Sequence, residues 1–359
     1  MAATLITGGC GFVGRNLVKD LLADGAGIIC IIDDLSAGAN PVTWLDAGLV
    51  DRPEDTVGKY ETDAGAEIWI LRTDVRVGLR KLPGAHWARH WGPFDDVYHL
   101  AARVGGRLTM DRRPLFIAEN LAIDAAFFSW VAEHTDSIGR VLYMSSSATY
   151  PVEMQRFGGN AALHEALVDQ HSGMGTDGVY GWSKLTGEFL ARNVSAKAGI
   201  HVACVRPFSG YGPGQARSYP VTAIAERAIA RVDPLPVWGP GVQQRDFLFV
   251  SDLVAGARRA LDRISGGTAV NLGTGIGTTF REVAESLARC VGYSPTVVSD
   301  PAKPVGAEVR VADTELMAAL LDWRPSVSLD TGLAHVVAEL RSGPSDGSPA
   351  TVSTVEDPA

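Results

Sequence analysis

The sequence is poor in three features that would assign a protein to a specialised class. Cysteine is scarce: the 359 residues include only Cys10, Cys30, Cys204 and Cys290, and their spacing matches no metal-binding motif. Because three of them lie in or beside apolar segments, we predict buried thiols in a reducing cytoplasm rather than disulfides. We predict no metal site.

Long apolar runs and an excess of positive charge are also missing. No apolar run is long enough to span a bilayer, and residues 1–3 lead into a strand candidate without a signal peptide. Lysine and arginine number 32 against 41 acidic residues, which gives a net charge of −9. This balance disfavours nucleic-acid and membrane partners, and a small anionic substrate would need locally placed basic side chains.

Glycine is abundant, and its spacing near the start of the chain is informative. Gly8, Gly11 and Gly14 stand three apart between an apolar strand candidate over 3–6 and a helix candidate over Phe12–Ala23. Residues without Cβ permit a tight turn, a close approach to a diphosphate and a close helix-on-strand contact. The first N–H groups of the helix can donate to phosphate oxygens. This stretch therefore predicts a dinucleotide-binding loop.

The second strand candidate indicates which dinucleotide binds. Residues 28–32 form a continuous apolar run, as in a parallel strand that is covered on both faces, and the run ends at Asp33 and Asp34. A carboxylate about twenty residues past the last glycine accepts hydrogen bonds from the adenosine ribose and repels a 2′-phosphate. No arginine follows immediately. The sequence therefore predicts NAD rather than NADP.

Strand and helix candidates alternate through the first half of the chain. Strands are predicted over 67–71, 96–100, 140–144 and 201–205, and a long helix over Pro114–Glu133. The alternation predicts an α/β protein with a Rossmann doubly wound parallel sheet and a smaller C-terminal substrate-binding α/β lobe.

The same patterns divide the chain into regions. We assign 1–206 mainly to an NAD-binding domain and 207–341 mainly to the substrate lobe, with some segments returning to the first domain. Residues 342–359 are predicted to be a disordered tail. Insertions are expected at 38–66, with a short helix, and at 157–178, where the chain would shape the substrate pocket.

One pair of side chains carries the predicted chemistry. Tyr180 and Lys184 lie four residues apart at the start of a helix candidate, so the phenol and the ammonium share one helix face. Positive charge from Lys184 and from an oxidised nicotinamide would favour a tyrosinate, which can act as a base. Three serines, 145–147, end the preceding strand, and a hydroxyl there could complete the hydrogen bonds to the same substrate hydroxyl.

About residues 3 to 341 resemble the extended short-chain dehydrogenase/reductases that act on nucleotide sugars. The motifs are the glycine loop, Asp33-Asp34-Leu35-Ser36, Asp74-Val75, Leu100-Ala101-Ala102, the Ser/Tyr/Lys set, Arg206-Pro207-Phe208 and Arg245-Asp246-Phe247. The resemblance implies NAD as cofactor and a UDP- or GDP-linked hexose or uronic acid as substrate. It also implies a homodimer that pairs the helices near 114–133 and 180–198.

The resemblance also implies roles for individual residues. Catalysis falls to Tyr180, Lys184 and Ser146, the serine four places before Tyr150. The cofactor-binding set is Gly8, Gly11, Phe12, Val13, Gly14, Asp33, Asp34, Ser36, Asp74, Val75, Leu100, Ala101, Ala102, Asn120, Tyr180, Lys184 and Pro207. The substrate-binding set is Arg103, Ser147, Ser209, Arg217, Arg245, Lys303 and Arg310, with Arg245 at the substrate diphosphate and Arg217 available to a sugar carboxylate.

The catalytic loop favours one reaction within this family. Nucleotide-sugar 4,6-dehydratases resemble Thr-Asp-Glu here and the GDP-fucose-forming epimerase-reductases resemble Ser-Ser-Cys, whereas this chain has Ser-Ser-Ala at 146–148. The missing acid and thiol argue against dehydration and against proton abstraction at C3 or C5, unless Glu153 or His164 substitutes. What remains is hydride chemistry at C4, as in the UDP-galactose 4-epimerases.

Other segments favour different members of the family. Residues 101–106 and 271–275 are closer to GDP-fucose synthases and GDP-mannose 3,5-epimerases. We predict a C4 epimerase with bound NAD and keep three alternatives: a dehydrogenase or 4-keto reductase, a 3,5-epimerase, and a non-catalytic NAD-binding sensor.

Overall fold

The structure is a computed structural model that describes residues 3–82, 93–158, 162–170 and 175–342. The predicted tail from 343 onward and residues 159–161 and 171–174 of the second insertion lie outside the described residues. The strands are β1 (Ala3–Thr7), β2 (Ile28–Asp33), β3 (Gly48–Glu54), β4 (Val57–Glu61), β5 (Glu67–Arg72), β6 (Phe94–His99), β7 (Ile138–Met144), β8 (His201–Pro207), β9 (Ser209–Tyr211), β10 (Leu235–Trp238), β11 (Gln244–Arg245), β12 (Phe247–Phe249), β13 (Thr268–Leu272), β14 (Thr278–Thr279), β15 (Val297–Asp300) and β16 (Val309–Arg310).

The helices connect these strands and cover the sheet. They are α1 (Phe12–Ala23), α2 (Val75–Lys81), α3 (Arg107–Arg112), α4 (Pro114–Glu133), α5 (Ala166–Gln170), α6 (Gly178–Ala198), α7 (Pro220–Ile229), α8 (Val250–Arg263), α9 (Phe280–Val291), α10 (Glu315–Leu321) and α11 (Leu329–Ser342). Short 3-10 turns follow several strands, among them Ser147–Thr149 directly after β7.

The main sheet has nine strands in the order β13-β8-β7-β6-β1-β2-β5-β4-β3. The first seven are parallel to their neighbours. The strand order reverses next to β1, and at such a point the carboxyl ends of adjacent strands open into a crevice. The predicted α/β doubly wound fold is confirmed.

One prediction about the sheet needs correction. The insertion over 38–66 contains a short 3-10 turn, Pro41–Thr43, but most of it is the hairpin β3–β4, which adds two antiparallel strands to the edge of the sheet at β5. Pro53 lies in β3, which is the outermost strand, where a residue without an N–H donor is tolerated.

Two buried layers cover the sheet, one on each face. Ile123, Phe127 and Val131 of α4 pack with α2 and α6 on one face. On the other face α1, α8 and α10 form a second core around Leu17, Leu253 and Met317. A third core, formed by α7, α9 and α11, holds the smaller lobe together.

Helix α4 is an exception to the sequence prediction that no apolar run is long enough to span a bilayer. It is the one helix in the described ranges that is long and apolar enough to do so by length and composition. It packs along α6 and buries the polar side chains of Asn120 and Asp124, which take part in hydrogen bonds. A core helix of a globular domain has the same length and composition.

Candidate active site

A cavity of about 570 Å³ opens at the carboxyl ends of the parallel strands. It is lined by residues that follow β1, β2, β5, β6, β7 and β8, so the fold brings together segments that are far apart in sequence. The predicted site residues on its wall are Gly8, Gly11, Phe12, Val13, Gly14, Asp33, Asp34, Ser36, Asp74, Val75, Leu100, Ala101, Ala102, Arg103, Ser146, Ser147, Tyr180, Lys184, Pro207 and Ser209.

The glycine loop leaves no room for side chains. Gly8 has φ +73°, and a Cβ added there would lie 2.7 Å from the backbone nitrogen of Ala101. A Cβ on Gly14 would lie 2.6 Å from the Cα of Gly9. The loop therefore packs directly against the backbone that follows β6 and against itself, and only glycine fits at these two positions.

Asp33 and Asp34 follow β2 and differ in their contacts. The buried carboxylate of Asp33 accepts hydrogen bonds from the backbone N–H of Cys10 at 2.9 Å and of Leu35 at 2.8 Å. Burial raises the pKa of Asp33. Asp34 instead pairs with Arg103 at 2.9 Å. Asp33 thus fixes the turn beside the glycine loop, while both carboxylates face the cavity.

Arg103 lines the cavity, and its guanidinium is held among polar side chains that follow β2. Asn120 accepts a hydrogen bond from the backbone N–H of Arg103 at 2.6 Å and donates to its carbonyl at 3.0 Å. The guanidinium then reaches Asp34, the Ser36 hydroxyl at 2.5 Å and Glu119 at 3.1 Å. Arg103 is therefore placed with the residues predicted to hold adenosine, and Asn120 acts on the cavity through Arg103 rather than lining it.

Ser146, Tyr180 and Lys184 converge where β7 ends and α6 begins. The Tyr180 phenol is hydrogen-bonded to the Ser146 side chain, which lowers its pKa, but burial dominates and raises the pKa of Tyr180 to about 12. The Lys184 ammonium donates to the carbonyl of Met144 at 2.9 Å. Burial lowers the pKa of Lys184. A hydroxyl, a phenol and an ammonium thus meet at this end of the cavity.

A buried polar layer lies beneath this group. His99 Nε2 is 3.1 Å from the carboxylate of Asp124, and Tyr143 donates to the same carboxylate at 2.7 Å. On its other side the His99 ring contacts the Thr7 hydroxyl at 2.7 Å. These side chains come from β1, α4, β6 and β7, so the layer ties four elements together below Lys184.

A second buried group supports the serine loop. Arg206 at the end of β8 makes a bidentate ion pair with Glu188 of α6 at 2.8 and 2.7 Å. Ser145 donates to Glu188 at 2.5 Å. The phenol of Tyr150 donates to Asn271 at 2.7 Å and accepts from Arg206. The pair links β8 to α6, and Ser145 ties both to the end of β7 beside the predicted catalytic serine.

An arginine cluster surrounds Asp177 just before α6, and its side chains are not among the described residues that line the cavity. Asp177, three residues before Tyr180, pairs with Arg107 at 2.8 Å and with Arg310 at 2.7 Å. The half-buried Arg245 donates only to the carbonyls of Gln244 and Val305 among the described residues, and its guanidinium lies over the ring of Phe280. Burial lowers the pKa of Arg245, and neighbouring Arg310 lowers it further. Arg107 also pairs with Asp111 at 2.7 Å, so three guanidiniums face two carboxylates among the described residues and the cluster has one surplus positive charge that an anion would compensate.

Two other predicted substrate residues do not join this cluster. Arg217 is 64% exposed and pairs with Glu226 at 2.8 Å. Lys303 is exposed and lies over the ring of Trp238. Neither side chain lines the cavity.

The sequence profile of the NAD dependent epimerase/dehydratase family matches residues 4–273. This chain belongs to that family.

Several known proteins resemble this family member along most of its length. GDP-L-fucose synthase of Escherichia coli (strain K12) is 29% identical over 74% of this chain and 86% of its own. dTDP-4-dehydro-6-deoxy-D-allose reductase of Streptomyces bikiniensis is 28% identical over 94% of this chain and 95% of its own. The crystal structure of UDP-glucose 4-epimerase from Thermus thermophilus, a complex with NAD, superimposes with a TM-score of 0.75. The two sequences are 23% identical, and the match covers 95% of this chain and 99% of the epimerase chain.

The cavity of this epimerase/dehydratase family member fits the family's cofactor. The positions without room for a Cβ, Gly8 and Gly14, form a cradle at the N terminus of α1 for a diphosphate. Asp33, Asp34 and Ser36 offer polar atoms at the end of β2, and the small side chains of Ala101 and Ala102 leave room along the wall. At the far end, Ser146, Tyr180 and Lys184 would face the nicotinamide half.

Sequence reasoning missed several residues of this site. Arg107 and Asp177 join the arginine cluster only through the fold, and nothing in their local sequence distinguishes them from surface charges. Asp124 and Glu188 are the exceptions, because an acid on the buried face of a helix needs a partner. That signal could have identified both.

Proposed function

We propose that the protein is an NAD-dependent nucleotide-sugar epimerase that inverts C4 of the sugar through a transient 4-keto sugar and retains its NAD. The observation that carries the proposal is the composition of the catalytic end of the cavity. Tyr180, Ser146 and Lys184 line this end. The acids among the described lining residues, Asp33, Asp34 and Asp74, lie instead at the ends of β2 and β5. The described lining residues include no cysteine. Such a site supports proton transfer at a hydroxyl more readily than dehydration.

The chain's own residues perform the proton chemistry. Tyr180, as phenolate, accepts the proton of the sugar 4-hydroxyl, and Ser146 shares a hydrogen bond with the same oxygen. The Ser146 hydroxyl favours the phenolate against the burial that raises the pKa of Tyr180 to about 12. We assign the same role to the positive charge of Lys184. Bound NAD supplies a reversible hydride acceptor. When the keto sugar presents its opposite face, Tyr180 returns the proton to the C4 oxygen.

The arginine cluster supports a substrate that is bound through a nucleoside diphosphate group. Arg245 and Arg310, both predicted substrate contacts, belong to this cluster, and Arg107 adds a third guanidinium. A planar guanidinium donates two parallel hydrogen bonds to a phosphate. A diphosphate anchored there leaves the sugar free to turn about its linkage. We infer a UDP- or GDP-linked hexose or uronic acid.

Proton abstraction at C3 or C5 has little support from the site. Glu153 and His164, which could substitute for the missing thiol or acid, do not line the cavity. Glu153 instead lies close to Gly175, and His164 is exposed. A 3,5-epimerase would need one of them beside the sugar.

The second candidate is a 4-keto sugar reductase. It is favoured by the resemblance to the dTDP-sugar reductase over nearly the whole chain. The same Tyr180 and Ser146 would then donate to the keto oxygen. Such an enzyme consumes reduced cofactor and must exchange it, whereas an epimerase regenerates NAD in every turnover.

The test needs purified protein and no added cofactor. UDP-, GDP-, dTDP- and CDP-sugars are incubated with it in deuterated water, and each sugar is followed by proton NMR. We expect inversion at C4 with no deuterium gained. Deuterium at C3 or C5 would contradict the proposal, and turnover that requires added NADH or NADPH would favour the reductase. Binding without any turnover would favour a sensor.

We further propose that the protein is a cytoplasmic homodimer, with residues 1–206 forming most of the NAD-binding domain and 207–341 most of the substrate lobe. The exposed side chains of Leu121 on α4 and Phe189 on α6 support an interface on these two helices. Light scattering should give a dimer that Phe189→Arg dissociates. Leu320→Arg, an exposed leucine on α10, is the control and should leave the dimer intact.

A further inference from the structure

We propose that Asp124 is the counter-ion of Lys184: its buried carboxylate keeps the lysine ammonium charged beneath the cavity, which makes Asp124 a positioning residue for the charge that supports Tyr180. The inference rests on the proposed function only for the use made of Tyr180. The charge state of Lys184 can be measured without a substrate.

The two groups are buried together. Lys184 is 2% exposed and Asp124 is 1% exposed. The Lys184 Nζ lies 4.9 Å from the centre of the Tyr143 ring, and the phenol of Tyr143 donates to Asp124 at 2.7 Å. A buried ammonium without an opposite charge would tend to lose its proton.

A glycine allows the carboxylate to approach helix α6. Gly187 lies one turn beyond Lys184, and a Cβ added there would clash first with the phenol of Tyr143 and would also lie 2.8 Å from the Oδ2 atom of Asp124. A larger residue at 187 would displace both groups from α6. The glycine thus makes room for the Tyr143 phenol together with the carboxylate to which it donates.

The other groups around Asp124 are neutral donors. The Asp124 carboxylate can only accept, so the proton of a neutral His99 ring lies on Nε2 and is donated to Asp124. His99 Nδ1 then accepts from the Thr7 hydroxyl. Burial lowers the pKa of His99, in agreement with a neutral ring. The charge of Asp124 therefore remains available to Lys184.

The second described acid in this layer is already paired. Glu188 makes its bidentate contact with Arg206 and accepts from Ser145. Glu188 is thus matched by Arg206, which leaves Asp124 as the buried carboxylate whose charge can balance that of Lys184 across the Tyr143 ring. The titratable and charged groups in the layer are Asp124 from α4, His99 from β6, Tyr143 from β7, Tyr180, Lys184 and Glu188 from α6, and Cys204 and Arg206 from β8.

The electrostatic shifts agree with this division. Asp124 raises the pKa of Lys184 against the effect of burial, with a smaller contribution from Glu188. In return, Lys184 is the first of the groups that lower the pKa of Asp124. The coupling is therefore reciprocal.

Lysine NMR tests the proposal directly, because the chain has only six lysines. NAD-saturated protein labelled at lysine Cε and Nζ is titrated, and the Lys184 signal is identified by its loss in Lys184→Arg. Asp124→Asn keeps the shape and one of the two acceptor oxygens but removes the charge. We expect the Lys184 midpoint to fall by about one to three pH units, the usual effect of one nearby opposite charge. The matched control, Glu133→Gln, removes an exposed acid from the same helix and should leave the midpoint unchanged.

An unchanged Lys184 midpoint in folded Asp124→Asn would overturn the proposal. Thermal melting and NAD binding establish that the variant is folded. If it does not fold, the parent protein still decides the matter: Lys184 must be an ammonium at neutral pH, and a neutral amine there would refute the pairing. Neither result depends on which sugar, if any, is turned over.

Discussion

Replacing Arg245 by glutamine should weaken the binding of a nucleoside diphosphate much more than the same change at Arg217. Both arginines are candidates for substrate contacts in the sequence, but they differ in the structure. Arg245 is half-buried and has only carbonyl oxygens and an aromatic ring as described partners. Arg217 is 64% exposed and already has Glu226.

The expected magnitude follows from these surroundings. Hydrogen bonds to charged groups contribute about 1.5–3 kcal/mol each, and a site with a surplus of buried cations falls in this range. Arg245→Gln should therefore raise Kd for UDP or GDP about 10- to 150-fold. An exposed charge contributes less than about 1 kcal/mol, so Arg217→Gln should change Kd by less than about fivefold.

Isothermal titration calorimetry of NAD-saturated protein with UDP and with GDP measures both variants under the same conditions. Parent-like affinity in Arg245→Gln would refute the assignment of the cluster to the diphosphate. An equal loss in Arg217→Gln would show that general surface charge, rather than the built cluster, attracts the nucleotide. The preferred base would also show which nucleoside diphosphate is recognised.

Three further predictions test other parts of the account. Gly14→Ala places a Cβ against the backbone of the glycine loop, so it should lower the stability by about 1–3 kcal/mol and remove most of the NAD affinity. The control is Gly48→Ala, whose Cβ meets no atom within 4 Å and should change both quantities little. Melting curves and NAD titration measure both variants. Glu188→Gln leaves the buried guanidinium of Arg206 without a counter-charge and should lower the free energy of unfolding by about 3–5 kcal/mol. Asp262→Asn, which removes an exposed partner of Arg140, should lower it by about 0–1 kcal/mol. Equal losses in denaturant titrations would contradict this prediction. Burial raises the pKa of Tyr180 to about 12 without cofactor, and the positive nicotinamide of NAD should lower this pKa. Tyrosinate absorbance should therefore appear at lower pH with NAD than without it. Tyr180→Phe should abolish that difference, and a difference that persists would assign the signal to another tyrosine.

The parts of the site that come from one continuous stretch of chain could be predicted from sequence. The glycine loop and the Tyr180–Lys184 pair each depend on local spacing, and the helices α1 and α4 begin and end where the apolar pattern indicates. The carboxyl ends of parallel strands share one edge of the sheet, so Asp33 and Ser146 could also be assigned to one cavity.

What could not be predicted depends on contacts between distant segments. The hairpin β3–β4 has two register irregularities and an exposed outer strand, which interrupt the alternation that normally indicates a strand. Arg103 follows β6, yet its direction is set by Asn120 seventeen residues later. Asp177 finds its arginine partners only when α3 and β16 meet the start of α6.

The central claim is that hydride leaves C4 of the sugar and returns to C4 of the same molecule. The most direct measurement uses the turned-over nucleotide sugar with deuterium at C4, incubated with the protein in ordinary water together with unlabelled free NADH. The account predicts that the inverted product retains deuterium at C4, because the cofactor is held throughout the turnover. Product with hydrogen at C4, or deuterium in the free NADH, would contradict internal return and would indicate a dehydrogenase or reductase.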